Sequence, residues 1–480
     1  MATRRRGALA ACWLALAACQ ASPVGREDQD QPPASPAGLV ALTPPPALVE
    51  AASRLGLPAP QNASLGELAF PVDDQGPIAA SFYFLSSSFF EVDEVRIFLE
   101  ALIRHDPGRQ VFLFTDESLE TGLSAAALPA VTVVRTAPLP YSPWPRDPFA
   151  STRDGRGNVV LVARSRLQPG REDDLWMAAE VAKALPASLA GPAGRARWAL
   201  SPVYFHTGQM LPERSSLRLS VHSVEPLALE LAGIPAVPAE RFGTPEGIAP
   251  YFRAARRAIE QVAGLWGRPA ELVHPMPGGG PEDVPLVARL AGGAGFDLDS
   301  LLTFLPGAAG REVAAVADVS LGRDLLAATT AAEWGAFAAT YRLQPDRTAA
   351  RQRLAAHLES PRARGLGAFL DTVASHLGAK GHRVERIPVL LVPIEILADA
   401  ENLPAGDFLV GWNNVVLSRR GAALVAEGFA SGLPAADEAL RRRFQEAGAE
   451  LVLLPILRQS VVRGGGYRCA SSHLPRGMGR

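Results

Sequence analysis

The amino-acid sequence predicts a mixed α/β fold in which similar strand and helix units recur. Short apolar runs typical of strands return along the chain, and amphipathic segments with helical periodicity lie between them. The strand-like runs argue against an all-helical protein, and the mostly long and uneven intervals between them argue against a short-period solenoid. The strand-like runs are QVFLFT from Gln110, NVVLVAR from Asn158, LRLSVHS from Leu217, LLTFLP from Leu301, EVAAVADV from Glu312 and WNNVVLS from Trp412.

Four amphipathic segments are predicted to be helices. Asp346 can cap the start of one, and Gly448 can close another just before the strand-like run AELVLLPIL. The stretch from Leu325 to Gly378 is mostly helical, which predicts an inserted helical hairpin on the central repeat. The four helical segments are EVDEVRIFLEALIRHD from Glu91, PEGIAPYFRAARRAIEQVAGL from Pro245, DRTAARQRLAAHLES from Asp346 and ADEALRRRFQEAG from Ala436.

The N-terminus has the pattern of an export signal. Three arginines, Arg4 to Arg6, precede an apolar run from Ala8 to Ala18, too short to span a membrane. The run ends in Leu-Ala-Ala-Cys at Cys19, which resembles the bacterial lipobox, so residues 1–18 are predicted to be removed and Cys19 to carry a lipid. The alternative is an ordinary secretory signal cut after a small-x-small site. Either reading predicts an exported protein; the lipobox predicts a cell-envelope lipoprotein, periplasmic or at the cell surface.

The mature chain is predicted to consist of a tether and one folded unit. Residues 19–47 are rich in proline, polar and small residues, as in extended linkers. Residues 48–480 show no internal boundary and are interpreted as one domain. The formal charge of -2, without a basic tail or patch, argues against nucleic acid as a partner.

One thiol is expected to remain in the mature protein. Of the 3 cysteines, Cys12 leaves with the signal and Cys19 is lipidated, so Cys469 has no partner for an intramolecular disulfide. It follows three glycines and Arg468, a setting in which backbone can approach a ligand and a cation can lower the thiol pKa. The alternative is a buried structural cysteine, the commoner fate of a free thiol.

Four segments together resemble the pentein, or guanidino-group-modifying, superfamily, which includes arginine, agmatine and peptidyl-arginine deiminases. The resemblance runs in family order over Ser142 to Cys469 and implies a fivefold pseudo-symmetric α/β propeller. The implied chemistry is attack of a cysteine thiolate on a guanidinium carbon, followed by hydrolysis of the covalent amidino-thioether, without a cofactor. The matching segments are SPWPRDPFAST at Ser142, HTGQMLPERSSLRLSVHS at His206, DLDSLLTFLP at Asp297 and GGGYRC at Gly464.

The resemblance assigns roles to individual residues. Cys469 is the nucleophile, and Arg146 with Asp147 forms the Arg-Asp pair that begins the guanidinium-holding loop. Asp299 is the second acid of the family's His-x-Asp strand. Paired carboxylate contacts are what a guanidinium requires. Trp144 can stack on a substrate cation, although packing is the commoner role of such a tryptophan.

The chain also departs from the family. Asp297 stands where the family has histidine, His206 stands where it has an acid, and Arg468 replaces a residue that is often histidine. One hypothesis is an exchange, in which His206 is the general acid/base, oriented by Asp297 or Asp299, with a pKa raised by the nearby carboxylate. The alternative is that both positions drifted after activity was lost.

Three functions therefore remain open from the sequence. The leading prediction is a lipid-anchored hydrolase acting on a small guanidino compound or an arginyl peptide. The alternatives are a non-catalytic binder of a guanidinium or peptide, and an amidinotransferase. No metal-ligand cluster is visible. His473 could reach the thiol but is expected to be a solvated surface residue, and Asn413 and Asn414 are read as turn residues without chemistry.

Overall fold

The computed structural model describes residues 41–62, 68, 76–85, 90–115, 123–125, 127–164, 171–213, 216–233, 245–278, 281–293, 295–307 and 312–476. The predicted signal, the lipid site Cys19 and most of the tether lie outside these residues. Among the residues described, none of the helices has the length and apolar character needed to cross a membrane.

Seventeen strands are found among the described residues. They are β1 (Ile78–Phe84), β2 (Gln110–Thr115), β3 (Val131–Arg135), β4 (Phe149–Arg153), β5 (Val159–Ala163), β6 (Arg197–Leu200), β7 (Met210–Pro212), β8 (Leu217–Leu219), β9 (Ala270–Leu272), β10 (Leu302–Pro306), β11 (Glu312–Asp318), β12 (Arg383–Pro393), β13 (Asp407–Gly411), β14 (Val416–Arg420), β15 (Ala423–Phe429), β16 (Ala449–Leu454) and β17 (Ser472–Pro475).

Fourteen α-helices accompany them in the described part of the chain. They are α1 (Pro46–Arg54), α2 (Val92–His105), α3 (Met177–Ala184), α4 (Ala187–Ala190), α5 (Glu225–Ala232), α6 (Pro245–Trp266), α7 (Val284–Ala291), α8 (Leu298–Leu301), α9 (Val319–Ala328), α10 (Ala331–Tyr341), α11 (Arg347–His357), α12 (Pro361–Ala379), α13 (Pro434–Glu446) and α14 (Arg458–Val462).

Short 3₁₀ turns complete the described secondary structure. They are Leu128–Ala130, Glu172–Trp176, Thr207–Gln209, Val221–Val224, Pro281–Asp283, Ile394–Ile396 and Ala400–Asn402.

The strands form five sheets within the described residues, and all five share one pairing pattern. The sheets have the orders β17-β1-β2-β3, β4-β5-β6, β7-β8-β9, β10-β11-β12-β13 and β14-β15-β16. In each, one inner strand pairs antiparallel with one neighbour and parallel with the other. A parallel pair needs a crossover, and helices lie in every one of these crossovers. The fold is therefore mixed α/β, as predicted.

The first sheet joins the two ends of the folded unit. β17, from the C-terminal region, pairs antiparallel with β1, with Ser81 opposite His473 and Phe82 opposite Ser472. Every residue of β1 is buried. The turn that carries Cys469 therefore precedes a strand held against the core of the N-terminal sheet.

The predicted strands and helices are confirmed in type. Asp346 caps α11 by accepting a hydrogen bond from the backbone N–H of Ala349, and Gly448 adopts a positive φ of 88° after α13. The run from Trp412 is extended only from Val416, because the residues before it turn toward the site described below.

The helical insertion is larger than predicted. Between the parallel strands β11 and β12 lie four helices, α9 to α12, rather than one hairpin. Thr330 and Ser360 provide additional N-caps that a reading based on apolar periodicity does not separate. The insertion packs on its own sheet, since α9 and α12 contact β12.

Candidate functional site

Five segments that lead into the five antiparallel partner strands carry the candidate site. Each segment places a polar side chain no more than four residues before its strand. These residues are Asp147 before β4, His206 before β7, Asp299 before β10, Asn414 before β14 and Cys469 before β17. All but Asn414, which is half-buried, are buried. The shared pairing pattern of the sheets therefore places one polar side chain of the candidate site just before one strand of each sheet.

The thiol of Cys469 is held by two neighbours. Asn414 Nδ2 donates to Cys469 Sγ at 3.2 Å, and the thiol faces Asp299 Oδ1 at 3.7 Å. Asn414 Oδ1 also accepts from the backbone N–H groups of Arg468, at 2.7 Å, and Cys469, at 3.3 Å. One amide therefore fixes both the turn and the sulfur atom.

Asn414 is a functional residue that sequence reasoning assigned to a simple turn. It also donates to Asp299 Oδ1 at 2.9 Å, so it links the acid and the thiol. The signal available in the sequence was a pair of asparagines just before a strand, at a position that corresponds to those of the other site residues. The contacts themselves involve residues 55 and 115 positions away in the chain, which no local pattern reveals.

Arg468, predicted to contact the substrate and to lower the thiol pKa, is paired with groups of its own chain. Its guanidinium is buried and pairs with Asp299 Oδ2 at 2.8 Å. It also donates to the backbone oxygens of Thr207, at 3.3 Å, and Met210, at 3.2 Å. Arg468 therefore neutralises the carboxylate of Asp299 from the protein side and ties the cysteine turn to the segment before β7.

The pKa of the Cys469 thiol is raised well above its usual range, contrary to the expectation from the adjacent arginine. Burial is the largest cause, and the carboxylates of Asp299 and Asp297 add to it. Arg468 does not compensate because its charge is engaged by Asp299. The pKa of Asp299 is itself raised to about 6, since burial outweighs the pairing with Arg468.

Asp147 is held from one side only. Its Oδ2 accepts from Arg171 Nη1 at 2.7 Å, whereas Oδ1 has no hydrogen-bond partner among the described residues. Burial disfavours the ionised form, yet contacts with His206 and Arg171 keep the pKa of Asp147 below its ordinary value. Asp174 in turn accepts from Arg171 Nε at 2.8 Å, which fixes the guanidinium in place. Neither Arg171 nor Asp174 was predicted from the sequence to belong to the site.

Trp144 stacks on an arginine of its own chain. The guanidinium carbon of Arg171 lies 5.0 Å from the centroid of the indole ring. The indole also lies against Gly465, where an added Cβ would be only 2.1 Å from the indole nitrogen. The contacts of Trp144 in the free protein are therefore packing contacts. Arg171 lies over the ring, where a substrate cation was predicted to stack.

Arg146 acts here through its backbone. Its carbonyl oxygen accepts a hydrogen bond from the Thr207 hydroxyl, which joins the segment before β4 to the segment before β7. The side chain is buried, and its positive charge favours the ionised form of Asp299.

His206 lies between two carboxylates. Its Nε2 is 3.8 Å from Asp147 Oδ1 and 3.9 Å from Asp297 Oδ1, longer than hydrogen bonds. Burial lowers the pKa of His206 to about 4, despite the opposing effect of Asp147. The predicted rise of this pKa is therefore wrong, because desolvation outweighs the carboxylates.

Asp297 is oriented by Gln209 and has a raised pKa. Gln209 Nε2 donates to Asp297 Oδ1 at 2.7 Å. Burial, followed by repulsion from Asp147, raises the pKa of Asp297 to about 7. The exchange hypothesis required His206 to donate a hydrogen bond to Asp297 or Asp299. The 3.9 Å separation of His206 Nε2 from Asp297 Oδ1 is too long for one, and His206 Nδ1 has no partner among the described residues.

The structure also forms metal-ligand spacings that the sequence did not reveal. Donor atoms of Asp147, His206 and Asp297 lie within 4.8 Å of one another, as do those of Asp297, Asp299 and Cys469. Asp297 belongs to both groups, so the imidazole and the thiol share this carboxylate as a neighbour.

Arg164 is a further residue that the sequence analysis did not find. It follows β5, is fully buried, and places its guanidinium carbon 5.9 Å from the ring centroid of Tyr204. The Tyr204 hydroxyl is its polar neighbour, because Arg164 lowers the pKa of that phenol by its charge and by a side-chain hydrogen bond, against the larger effect of burial. The charge of Arg164 acts on Asp147, whose pKa it lowers.

His473 is buried in β17 rather than solvated. Its Nδ1 lies 2.9 Å from the Ser81 hydroxyl and its Nε2 lies 2.7 Å from the Ser471 hydroxyl. Both ring nitrogens are therefore engaged, Nδ1 with β1 and Nε2 with the turn that precedes β17.

Comparison with known proteins gives structural likeness alone. No protein-family model matches the chain, and no curated protein matches it. A cysteine-to-serine variant of C. jejuni agmatine deiminase with substrate bound is 10% identical, with 86% of this chain and 97% of that chain covered, at a TM-score of 0.49. Agmatine deiminase of Enterococcus faecalis is 13% identical, with 85% and 96% covered and a TM-score of 0.44. A cysteine-to-serine mutant of DDAH from Pseudomonas aeruginosa, complexed with citrulline, is 9% identical, with 83% of this chain and 100% of that chain covered and a TM-score of 0.33. At these values the likeness carries no argument about activity.

Proposed function

We propose that this chain is a deiminase-type hydrolase of guanidino compounds, built on a pentein-type fivefold α/β propeller. The shared pairing pattern of the five sheets supports their arrangement as five blades. The delivery of one polar residue ahead of each antiparallel partner strand supports a common centre for them.

The observation that carries the proposal is the contact of the Cys469 thiol with the Asp299 carboxylate, 3.7 Å from Sγ to Oδ1. A nucleophilic cysteine needs a proton acceptor within reach, and a guanidinium needs carboxylates around it. Asp297 shares the space next to the thiol, and Asp147 is close to Asp297. The free Oδ1 of Asp147 is available for a substrate N–H group.

The reaction proceeds in two displacements. The thiol proton passes to Asp299 while Sγ attacks the guanidinium carbon, and the terminal nitrogen takes up a proton and leaves as ammonia. Water then adds to the amidino carbon, the C–S bond breaks, and the thiol regains its proton. The net change converts a guanidinium and water into a ureido group and ammonium, which balances in atoms and charge.

The substrate itself assists the first step. The raised thiol pKa reflects burial and the nearby carboxylates. A bound guanidinium places a positive charge among those carboxylates and offsets their effect on the thiol. Ionisation of Cys469 is therefore coupled to binding, which protects a lone thiol from oxidation in the free protein.

The test is turnover with matched substrates. The purified protein is incubated with arginine, agmatine and an arginyl peptide, and ureido products and ammonia are measured, with and without an added amine acceptor. Turnover of at least one compound, abolished in Cys469→Ala, is the expected result. An amidino group transferred to the amine would identify an amidinotransferase, and no turnover of any compound would contradict the hydrolase.

A non-catalytic binder is the second candidate, and one observation favours it. The ion pair of Arg468 with Asp299 already occupies an acid that a guanidinium substrate would otherwise use. Tight binding of arginine without ureido product, equal in wild type and Cys469→Ala, would identify this function.

Export and lipid anchoring complete the proposal. The arginine-flanked apolar N-terminus and the lipobox-like end at Cys19 support a cell-envelope lipoprotein, tethered by the proline-rich segment.

A further inference from the structure

We propose that Asp147, His206 and Asp297 form a binding site for one zinc-type divalent cation that does not use Cys469 as a ligand. His206 Nε2 lies 3.8 Å from Asp147 Oδ1 and 3.9 Å from Asp297 Oδ1, and the three donor atoms lie within 4.8 Å of one another. Ligand atoms around tetrahedral zinc, each about 2.1 Å from the metal, lie roughly 3.4 Å apart. Contraction by a few tenths of an ångström would bring both separations from the imidazole to this spacing.

A buried carboxylate oxygen without a partner points into this space. Asp147 is only 4% exposed, and its Oδ1 has no hydrogen-bond partner among the described residues. His206 is only 5% exposed, and its Nε2 faces Asp147 Oδ1 and Asp297 Oδ1 at distances too long for hydrogen bonds. Asp297 Oδ1 accepts from Gln209 Nε2 at 2.7 Å, which orients this oxygen and leaves it a second lone pair.

The other two groups with metal-ligand spacing are already satisfied. In Asp297, Asp299 and Cys469, both Asp299 oxygens are bound by Arg468 and Asn414, and the sulfur accepts from Asn414. A second group, formed by Glu213, Glu312 and His382, surrounds a guanidinium. There Arg218 donates to Glu213 and approaches His382 Nε2 at 3.2 Å. A cation would have to displace an arginine from either group.

The donor set indicates the class of metal. One imidazole nitrogen and two carboxylate oxygens suit zinc, cobalt or manganese, with a fourth position open to water. Calcium prefers six to eight oxygen ligands, which three side chains do not provide. Arg171 is no obstacle, because it binds Asp147 through Oδ2 and leaves Oδ1 free.

This site goes beyond the proposed hydrolase. Asp147 Oδ1 is the atom that a substrate guanidinium would also contact, so metal and guanidinium exclude each other there. Binding of the metal requires neither turnover nor the thiol. The two proposals can therefore fail separately.

The test is zinc binding to the full-length, untagged protein after chelator treatment. Equilibrium dialysis against zinc chloride, with metal content measured by mass spectrometry, is expected to give one zinc per chain. Affinity should fall at least tenfold in His206→Asn and in Asp297→Asn. The second variant lies at a partly exposed position and keeps the test valid if the first does not fold. Wild-type affinity in either folded variant, or no stoichiometric zinc in the wild type, would overturn the proposal.

Two controls separate this site from others. Cys469→Ala should keep the zinc, as should His222→Asn, which alters a histidine bonded to the Leu290 carbonyl away from the three ligands. Cobalt-loaded protein should show no thiolate-to-metal charge-transfer band. A thiolate band, with loss of metal in Cys469→Ala, would assign the ion to the thiol group and refute the proposed ligand set. None of these measurements involves substrate.

Discussion

Asn414 and Cys469 are joined twice, by the amide N–H group to the sulfur at 3.2 Å and by the backbone N–H of Cys469 to the amide oxygen at 3.3 Å. The same amide holds Asp299 Oδ1 at 2.9 Å. The position of the thiol relative to its carboxylate therefore depends on one residue that takes no part in the proposed bond changes.

Replacing Asn414 by alanine should misplace the thiol. If the protein turns over a guanidino substrate, kcat should fall on the order of 10²-fold, because the sulfur is no longer held near its reaction geometry. Stability should fall by about 1 to 3 kcal/mol, since Asp299 loses a buried donor. Kinetics and denaturant unfolding measure the two effects. Unchanged kcat in a folded variant would show that Asn414 does not position the sulfur.

The Gly466→Ala substitution should act through Asn414. A Cβ at Gly466 would lie 2.5 Å from the Cβ and Cγ atoms of Asn414, so the amide must move. Turnover should therefore fall, as in the Asn414 variant, and the rate of thiol alkylation should differ from that of the wild type. The matched control is Gly367→Ala in α12, where an added Cβ meets nothing within 4 Å. Alanine there should raise stability by up to about 1 kcal/mol through helix propensity and leave alkylation unchanged.

Long elements and the order of the motifs could be predicted from sequence. Gln110–Thr115 and Arg347–His357 follow apolar periodicity and cap chemistry, which are local. The contacts of Asn414 could not be predicted, because its partners Asp299 and Cys469 lie 115 and 55 positions away in the chain. The prediction of a raised pKa for His206 was wrong for a related reason. Its neighbouring carboxylates were foreseen, but the burial that outweighs them is a property of the assembled fold.

The buried pair of Glu427 and Arg109 should make stability depend on acid. The guanidinium donates two hydrogen bonds, of 2.6 and 2.7 Å, to the carboxylate, and Tyr467, two residues before Cys469, donates a third of 3.0 Å. Burial alone would raise the pKa of Glu427, yet Arg109 brings it below its usual value. A depressed pKa contributes stability above the unfolded value of about 4.3 and loses it as pH falls through the folded pKa.

Glu427→Gln should remove that part of the acid dependence and cost about 3 kcal/mol, because buried Arg109 is left with Asp106, at 3.1 Å, as its remaining counter-charge. Unfolding in denaturant at pH 7 and at pH 3 to 4 provides the measurement. The double variant Glu427→Leu with Arg109→Met should be more stable than the single Glu427→Gln variant. A pH profile of stability identical to that of the wild type would rule out this role for Glu427.

Cys19→Ala should release the protein from membranes. The acyl chains at this residue would supply the attachment to the membrane. Cell fractionation followed by immunoblotting measures the shift to the soluble fraction, with Cys12→Ala as the control inside the predicted signal. Equal membrane retention of Cys19→Ala and wild type would exclude lipidation at this position.

A cationic alkylator should distinguish a guanidinium pocket from a merely buried thiol. A haloacetamidine carries the charge and shape of a guanidinium, and the free Oδ1 of Asp147 would draw it toward Cys469. It should therefore label Cys469 at least tenfold faster than iodoacetamide, which is neutral and gains nothing from the carboxylates. Mass spectrometry of the modified peptide gives both rates.

Asp147→Asn should slow the reaction with the haloacetamidine and leave the iodoacetamide rate nearly unchanged, because only the charged reagent depends on that carboxylate. Arginine should protect the thiol from both reagents if it occupies the pocket. Labelling by either reagent only after denaturation would identify Cys469 as a structural thiol and exclude its role as a nucleophile.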